Sequence, residues 1–257
     1  MANKQPTGNQ NQAFTFLVVT RPQGQADDLV TALQSVVNPL TTVEQLPLLQ
    51  IYPMSTKTLP DEKFHGVIFI SGNAVNYFFR AIDPLDSRLA NSLYLAVGEN
   101  TAQCVLQQSG RAAIFPQQMN SEGLLALAEL SQVAGQNWLI AKGEGGRSAI
   151  RETLESRGAR VFELDLYERK LPDFSVQQAI IKRQQDNPLW LITSAEALTN
   201  LFRILGLQSQ PDHQTAVIVS SDRLAALASQ KGFTIIDQSA GASETQLVQC
   251  IKNQMTR

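Results

Sequence analysis

Short apolar runs of four to six residues punctuate the chain. Each closes in a hydroxyl-bearing or glycine-containing turn, and a stretch with helical spacing follows. The run Val67-Ile68-Phe69-Ile70 leads into Ser71-Gly72-Asn73 and then an amphipathic stretch through Tyr77 and Phe78. The same order returns at Leu189-Trp190-Leu191-Ile192, Thr193-Ser194 and residues 195–202. Both read as buried strand, turn, helix. Apolar runs of this length, alternating with helical periodicity, predict parallel strands joined by crossover helices.

The likeness extends along the chain. Residues 93–98 (LYLAVG) match 215–220 (TAVIVS), each followed by a helix ending near Gly110 or Gly232. Residues 16–21 (FLVVTR) match 138–142 (WLIAK), and each again opens a helix. Ser71 and Ser194 lie about half a chain length apart, so the repeat is a duplicated domain and not a short-period solenoid. The pattern predicts two α/β units.

Two stretches stand apart: residues 43–53 (VEQLPLLQIYP) and 161–172 (VFELDLYERKLP). They fall in equivalent places and both end in proline, which suits a connector or an edge strand. Read as extended linkers lying side by side, they predict a discontinuous arrangement. The first βαβ and the C-terminal segment then form one domain and the middle of the chain the other. Two consecutive domains divided near Gly135 fit the pattern equally well.

Composition narrows the possibilities. A chain of 257 residues can build two sizeable cores. A net charge of −2 exerts no general pull on nucleic acid or an anionic membrane, so an anionic ligand must be held by local groups. No apolar stretch approaches the roughly 18 residues that span a bilayer. Residues 1–13, rich in Asn and Gln, lack the apolar segment of a signal peptide and read as a disordered tail. Cys104 and Cys250 imply no disulfide framework. These features together predict a cytoplasmic protein.

In open α/β sheets ligands bind at the carboxyl ends of the strands, where helix N-termini offer amide N–H groups. The residues at those places are Thr20 and Arg21; Ser71, Gly72 and Asn73; Gly98, Asn100 and Thr101; Thr193 and Ser194; Ser220 and Ser221. Ser, Thr and Asn are also preferred helix N-caps. The two roles are compatible, because a capping turn still presents its backbone to an anion. Lys142-Gly143-Glu144-Gly145-Gly146-Arg147 is the one glycine-rich loop. As a dinucleotide fingerprint it is incomplete, with Ser148 at the third glycine position. It could still cradle carboxylates between Lys142 and Arg147. His65 and His213 precede strands, at the wrong end of a sheet, and have no partners at metal-ligand spacing. Both read as surface residues. With no GxSxG elbow either, the remaining candidate is a phenol: Tyr167, beside Glu168 and Arg169, in the second linker. A half-buried strand tyrosine with its hydroxyl at the surface is the alternative.

A series of short strings then carries a resemblance: VTRP at 19–22, SGNAV at 71–75, VGENTA at 97–102, SEGLL at 121–125, GEGGR at 143–147, RGA at 157–159, LYER at 166–169, TSAE at 193–196 and SDRLA at 221–225. In this order and spacing the chain resembles the uroporphyrinogen-III synthase family of tetrapyrrole biosynthesis, from about Phe14 onward. The resemblance implies two flavodoxin-like α/β domains, each a parallel sheet with helices on both faces, joined by a two-stranded linker along a discontinuous path. Domain one would be 14–47 plus 171–257, domain two 54–164, with linkers at 48–53 and 165–170.

The resemblance also implies the activity. Hydroxymethylbilane, a linear tetrapyrrole with eight carboxylates, would be closed to uroporphyrinogen III with inversion of ring D and loss of water, using no cofactor and no metal. Tyr167 matches the family's tyrosine in the proton-donor role, and a phenol holds its proton at neutral pH. The turns at Ser71, Gly72, Asn73, Thr101, Ser194 and Ala195 would hold substrate carboxylates, with Ser71 and Ser194 facing one another across a cleft. Arg21 and Arg147 either bind carboxylates or form structural ion pairs. Ser221 is followed by Asp222, whose charge would repel a carboxylate. Three positions depart from the family's pattern: Ile70 stands where a threonine is usual, Gly72 replaces a bulkier residue, and Asp222 stands where proline or another residue is often found. The expected state is a monomer in transient contact with the preceding pathway enzyme, and free of nucleic acid and membrane. A non-catalytic two-lobed tetrapyrrole or small-anion binding or sensor protein of the same fold is the alternative.

Overall fold

The computed structural model describes residues 14–255 except 56, 57, 146, 147, 211 and 212. The expected tail at 1–13 and the candidate Arg147 lie outside the described residues. The chain begins β1 (Phe16–Val19), α1 (Asp27–Gln34), β2 (Thr42–Gln45), β3 (Gln50–Pro53), β4 (Gly66–Phe69), α2 (Gly72–Ala81), β5 (Leu93–Ala96), α3 (Glu99–Ser109) and α4 (Ser121–Leu125). It continues β6 (Asn137–Gly143), α5 (Ala149–Ser156), β7 (Arg160–Lys170), α6 (Phe174–Gln184), β8 (Leu189–Ile192), α7 (Ala195–Ile204), β9 (Ala216–Val219), α8 (Asp222–Gln230), β10 (Thr234–Gln238) and α9 (Glu244–Met255).

These elements form two compact units. One takes the described residues up to Gln50 and those from Lys170 onward, and the other is Ile51–Arg169. The path is discontinuous, and Gly135 lies within the second unit, so a division there is excluded.

The first unit holds a sheet of order β10-β9-β8-β1-β2, with each adjacent pair parallel. The second holds β3-β7-β6-β4-β5, parallel from β7 through β5. The sequence repeat is shared between the sheets. Strands β8 and β9 come from the second copy and share this sheet with β1 and β2 from the first, joined where β8 pairs with β1. In the other sheet β6 and β7 come from the second copy, and they join β4 and β5. Matched strands take matched places, β9-β8-β1-β2 against β5-β4-β6-β7. At the outer edge the two sheets differ. In the first unit β10 pairs along β9, whereas beside β5 only an isolated bridge joins Leu95 to Ile114.

Alternation along the strands explains the layering. In the first unit Leu17, Val19, Leu189 and Leu191 pack with Leu29 and Leu33 of α1 and Leu247 and Ile251 of α9. Val18, Trp190 and Ile192, one residue out of phase, face Leu198 and Leu201 of α7 and Leu224 of α8. In the second unit Val67, Phe69 and Leu139 pack with Val75 and Phe78 of α2, while Ile68, Trp138 and Ile140 meet Leu124 of α4 and Leu154 of α5. Strands covered on both faces need apolar residues at every position, hence the unbroken runs in the sequence. The helix expected to stop near Gly110 does so, with Gly110 in the left-handed region at φ 69°.

One local expectation fails. His213 is half-buried and not a surface residue. Its ring stands edge-on to Phe233 at 5.0 Å, and Nε2 lies 2.9 Å from the Lys231 carbonyl. The imidazole is drawn in because it closes the apolar layer around Phe202 and Phe233. His65 is exposed as expected, its Nδ1 accepting from the Asn137 amide at 3.0 Å.

Candidate functional site

The carboxyl end of the second sheet gathers three residues around one phenol. Tyr167, near the end of β7, is 3% exposed, deeper than the half-buried alternative. Its hydroxyl lies 3.0 Å from Ser71 Oγ, and either oxygen can donate. Its ring stacks on that of Tyr77 at 5.6 Å between centroids, with 27° between planes. Gly143, the last residue of β6, closes the socket: a Cβ there would lie 2.6 Å from Cε2 and Cζ of Tyr167. Glycine is used at such points because the backbone can then approach a ring closely.

Local sequence builds this socket. Ser71 is extended (φ −166°, ψ 160°) and caps α2, its Oγ accepting from the Ala74 amide at 3.1 Å. Tyr77 lies further along α2, and its hydroxyl donates to the Ile51 carbonyl at 3.4 Å. A register shift between Lys142 and Gly143 sets Gly143 opposite Tyr167 instead of the residue before it. Such a bulge re-aims a side chain at a sheet end.

The first unit repeats the capping turn without the phenol. Ser194 caps α7 through the Ala197 amide at 3.1 Å, with an extended backbone like that of Ser71. Asn200, which the repeat matches to Tyr77, donates to the Leu48 carbonyl at 2.9 Å. The stretch after β2 carries the buried leucines Leu46 and Leu48 where the other copy carries Tyr167.

The other candidates fall into place around these turns. Gly72 and Asn73 open α2 and are half-buried. Thr101 is buried in the first turn of α3. Ala195 opens α7 and is half-buried. Ser221 is exposed and caps α8 through the Leu224 amide at 3.3 Å. The neighbouring Asp222 accepts from Gln238 Nε2 at 2.8 Å. Arg21 donates to the Ala242 carbonyl; burial lowers its pKa, opposed by the charge of Glu244. Ser71 and Tyr167 are brought into contact, whereas Ser194, Ala195, Ser221 and Arg21 belong to the first unit.

The glycine loop after β6 is occupied differently from its expected use. Lys142 Nζ lies 3.5 Å from Glu163 and 3.3 Å from Asp165, and it donates to the Gly145 carbonyl at 3.0 Å. Arg151 adds a contact to Glu163 at 3.5 Å. These cations answer the acids of β7. Among the described residues no group of three or more His, Cys, Asp or Glu is placed to hold a metal ion. Nor is any helix among them long and apolar enough to cross a membrane.

Tyr77 and the spacing role of Gly143 were not foreseen. Tyr77 was visible only as an apolar-face residue of a helix, and the bulge that makes Gly143 necessary leaves no mark in the hydrophobic pattern.

The family model described as uroporphyrinogen-III synthase HemD matches residues 20–249. The uroporphyrinogen-III synthase of Escherichia coli (strain K12) is 28% identical over 247 residues, 92% of this chain and 99% of that protein. That of Salmonella typhimurium is 31% identical over 164 residues, 62% of this chain and 66% of the relative. Among solved structures, a mutant uroporphyrinogen III synthase from the extremely thermophilic bacterium Thermus thermophilus superimposes with a TM-score of 0.62 at 16% identity, covering 94% of this chain and 99% of that one. The enzyme from Helicobacter pylori 26695 gives 0.58 at 15% identity, covering 91% and 96%. These two share the fold.

Proposed function

The chain belongs to the uroporphyrinogen-III synthase family, and on that premise we propose that Tyr167 and the strand-end turns carry the closure of hydroxymethylbilane to uroporphyrinogen III. The family consists of cofactor-independent cyclising lyases of tetrapyrrole biosynthesis. Its chemistry asks for positioning more than for a strong nucleophile.

Tyr167 gives its hydroxyl proton to the substrate's terminal hydroxyl. The carbon–oxygen bond breaks, water leaves, and the pyrrole nitrogen lone pair supplies the electrons, leaving an azafulvene cation. The substituted carbon of ring D attacks that cation and forms a spiro intermediate. The bond from that spiro carbon to the bridge toward ring C then breaks, and the freed bridge carbon bonds to the unsubstituted α-carbon of ring D, which inverts the ring and closes the macrocycle. The proton lost as the ring regains aromaticity returns to the phenolate, so one water is lost overall.

Eight substrate carboxylates must be held meanwhile by a chain whose net charge is −2. Local donors therefore do the work. The first turns of α2 and α3 in the second unit, and of α7 and α8 in the first, offer amides and positive helix ends to anions. Gly72, Asn73, Thr101, Ser194, Ala195 and Ser221 supply these turns; Asp222, next to Ser221, makes that turn the weakest of them. Arg21 acts mainly in holding the start of α9, given its bond to the Ala242 carbonyl.

The single observation that carries this reading is a buried phenol meeting the N-cap of α2 at the carboxyl end of a parallel sheet. The test is an isomer-resolved product assay. Purified protein is expected to convert hydroxymethylbilane to the type III isomer, with Tyr167→Phe losing most of that turnover while staying folded. Only the uncatalysed type I isomer, or tight tetrapyrrole binding without isomer control, would overturn it. A monomeric state, transient contact with the preceding pathway enzyme and a cytoplasmic location go with this reading. Sedimentation of the purified chain tests the first.

A further inference from the structure

The contact between Ser71 and Tyr167 has a direction that the reaction requires. Both oxygens can donate, and they are 3.0 Å apart. Ser71 Oγ already accepts the Ala74 amide at 3.1 Å. A hydroxyl that accepts a hydrogen bond becomes a better donor, because the chain of bonds polarises in one sense. The cap also stands at the positive end of α2, where negative charge is favoured.

We propose that Ser71 is a positioning residue for catalysis: its hydroxyl donates to Tyr167 Oη, and so turns the phenolic proton away from the protein and toward the substrate's leaving hydroxyl. This rests on the reading of Tyr167 as the proton donor. In the opposite sense Tyr167 would spend its only proton on Ser71 and have none directed at the substrate.

The atoms balance simply. The Tyr167 O–H bond breaks as its proton passes to the departing hydroxyl, which leaves as water. The negative charge that appears on Tyr167 Oη is met by the Ser71 hydroxyl, itself backed by the Ala74 amide. Donors fixed before the reaction, and aimed at the atom where charge develops, stabilise the transition state without reorganisation. When the product regains aromaticity its released proton goes back to Oη, and the Ser71 hydrogen bond is unchanged throughout.

The serine also belongs to a wider hold on the same ring. Ser71 meets the hydroxyl, Tyr77 covers a ring face from the same helix, and Gly143 permits the close approach of β6. Only the first of these contacts can govern where the proton points. Ser71 thus acts through Tyr167, and its Oγ, committed to Ala74 and Tyr167, is not the group that binds a substrate carboxylate.

Capping and proton orientation can be separated. Glycine serves as an N-cap almost as well as serine, so Ser71→Gly removes the hydroxyl while sparing the helix, whereas Ser71→Thr keeps both. The measurement is type III product formation at varied hydroxymethylbilane, with thermal unfolding of each variant. Ser71→Gly is expected to lower kcat on the order of 10-fold, with KM within about twofold and little change in Tm. Ser71→Thr is expected to restore most of the lost turnover. A raised KM with kcat intact would make Ser71 a substrate contact and overturn the proposal, as would an unchanged kcat in Ser71→Gly. Tyr167→Phe, run alongside, separates the two ideas. If it keeps full turnover, the assignment of Tyr167 fails; if it loses turnover while Ser71→Gly does not, only the role of Ser71 fails.

Discussion

Gly143 and Tyr167 are matched to each other by the absence of a side chain: a Cβ on Gly143 would stand 2.6 Å from two ring carbons of Tyr167. The ring is held from its other sides by Tyr77 and Ser71. It has no flexible end that could swing clear. The glycine in this loop therefore serves the phenol's packing, whatever the loop's likeness to a nucleotide-binding turn.

Gly143→Ala should accordingly displace the ring and break the Ser71 contact. Overpacking of this kind costs about 1–3 kcal/mol, and turnover should fall more than the loss of folded protein accounts for. Urea unfolding and the type III assay on the same preparation check both halves. Unchanged turnover would show that the ring's place is not critical.

Gly66 provides a contrast at the opposite end of the same sheet. A Cβ there would lie 2.3 Å from Cζ3 of Trp138, a buried indole whose Nε1 donates to Gln136 at 3.0 Å. Gly66→Ala should destabilise by about 1–3 kcal/mol, since the ring cannot move without strain. Turnover per folded molecule should stay close to that of the parent chain. A large fall in kcat with no loss of stability would contradict this division between the two ends of the sheet.

The serine caps predict a graded series. Ser194 accepts the Ala197 amide just as Ser71 accepts that of Ala74. Ser194→Ala should cost about 1 kcal/mol, and Ser194→Gly only a few tenths. Equal losses in the two variants, measured by denaturant midpoint at constant slope, would mean that the hydroxyl does not cap α7.

Stability should depend on acid through Asp86. Its carboxylate accepts from the Arg88 side chain at 2.6 Å and 2.9 Å and from the Arg88 amide at 2.9 Å. These bonds, the side-chain ones foremost, lower its pKa to about 2. A carboxyl whose pKa is lower folded than unfolded stabilises the fold above the unfolded value, and this is lost as pH falls through the folded one. Asp86→Asn should therefore be less stable than the parent at neutral pH, the gap closing as pH falls from about 4 to about 2. A gap independent of pH would assign the loss to packing.

Much of the fold was legible because its signal is local. Val67 to Phe69 and Leu189 to Ile192 are apolar at every position since both faces of their sheets are covered, and Ser71 and Ser194 announce the helices they cap. The edge was less legible. Residues near Ile114 stand where the repeat places a counterpart of β10, yet they form one bridge and no strand. His213 misled because a position before a strand says nothing about the aromatic rings brought against it from elsewhere.

The site was legible residue by residue but not as an arrangement. By itself the sequence determined the duplicated strand-turn-helix, the serines that end the strands, and a candidate phenol in the second of the two proline-ended stretches. Those follow from side-chain alternation and backbone capping, which act over a few residues. Only the tertiary structure decided that Ser71 and Tyr167, 96 positions apart, share a hydrogen bond, and that Gly143 leaves room for the ring. The reason is physical. Strand order and a one-residue register shift bring those three together, and both are set by the packing of whole sheets, not by the residues themselves.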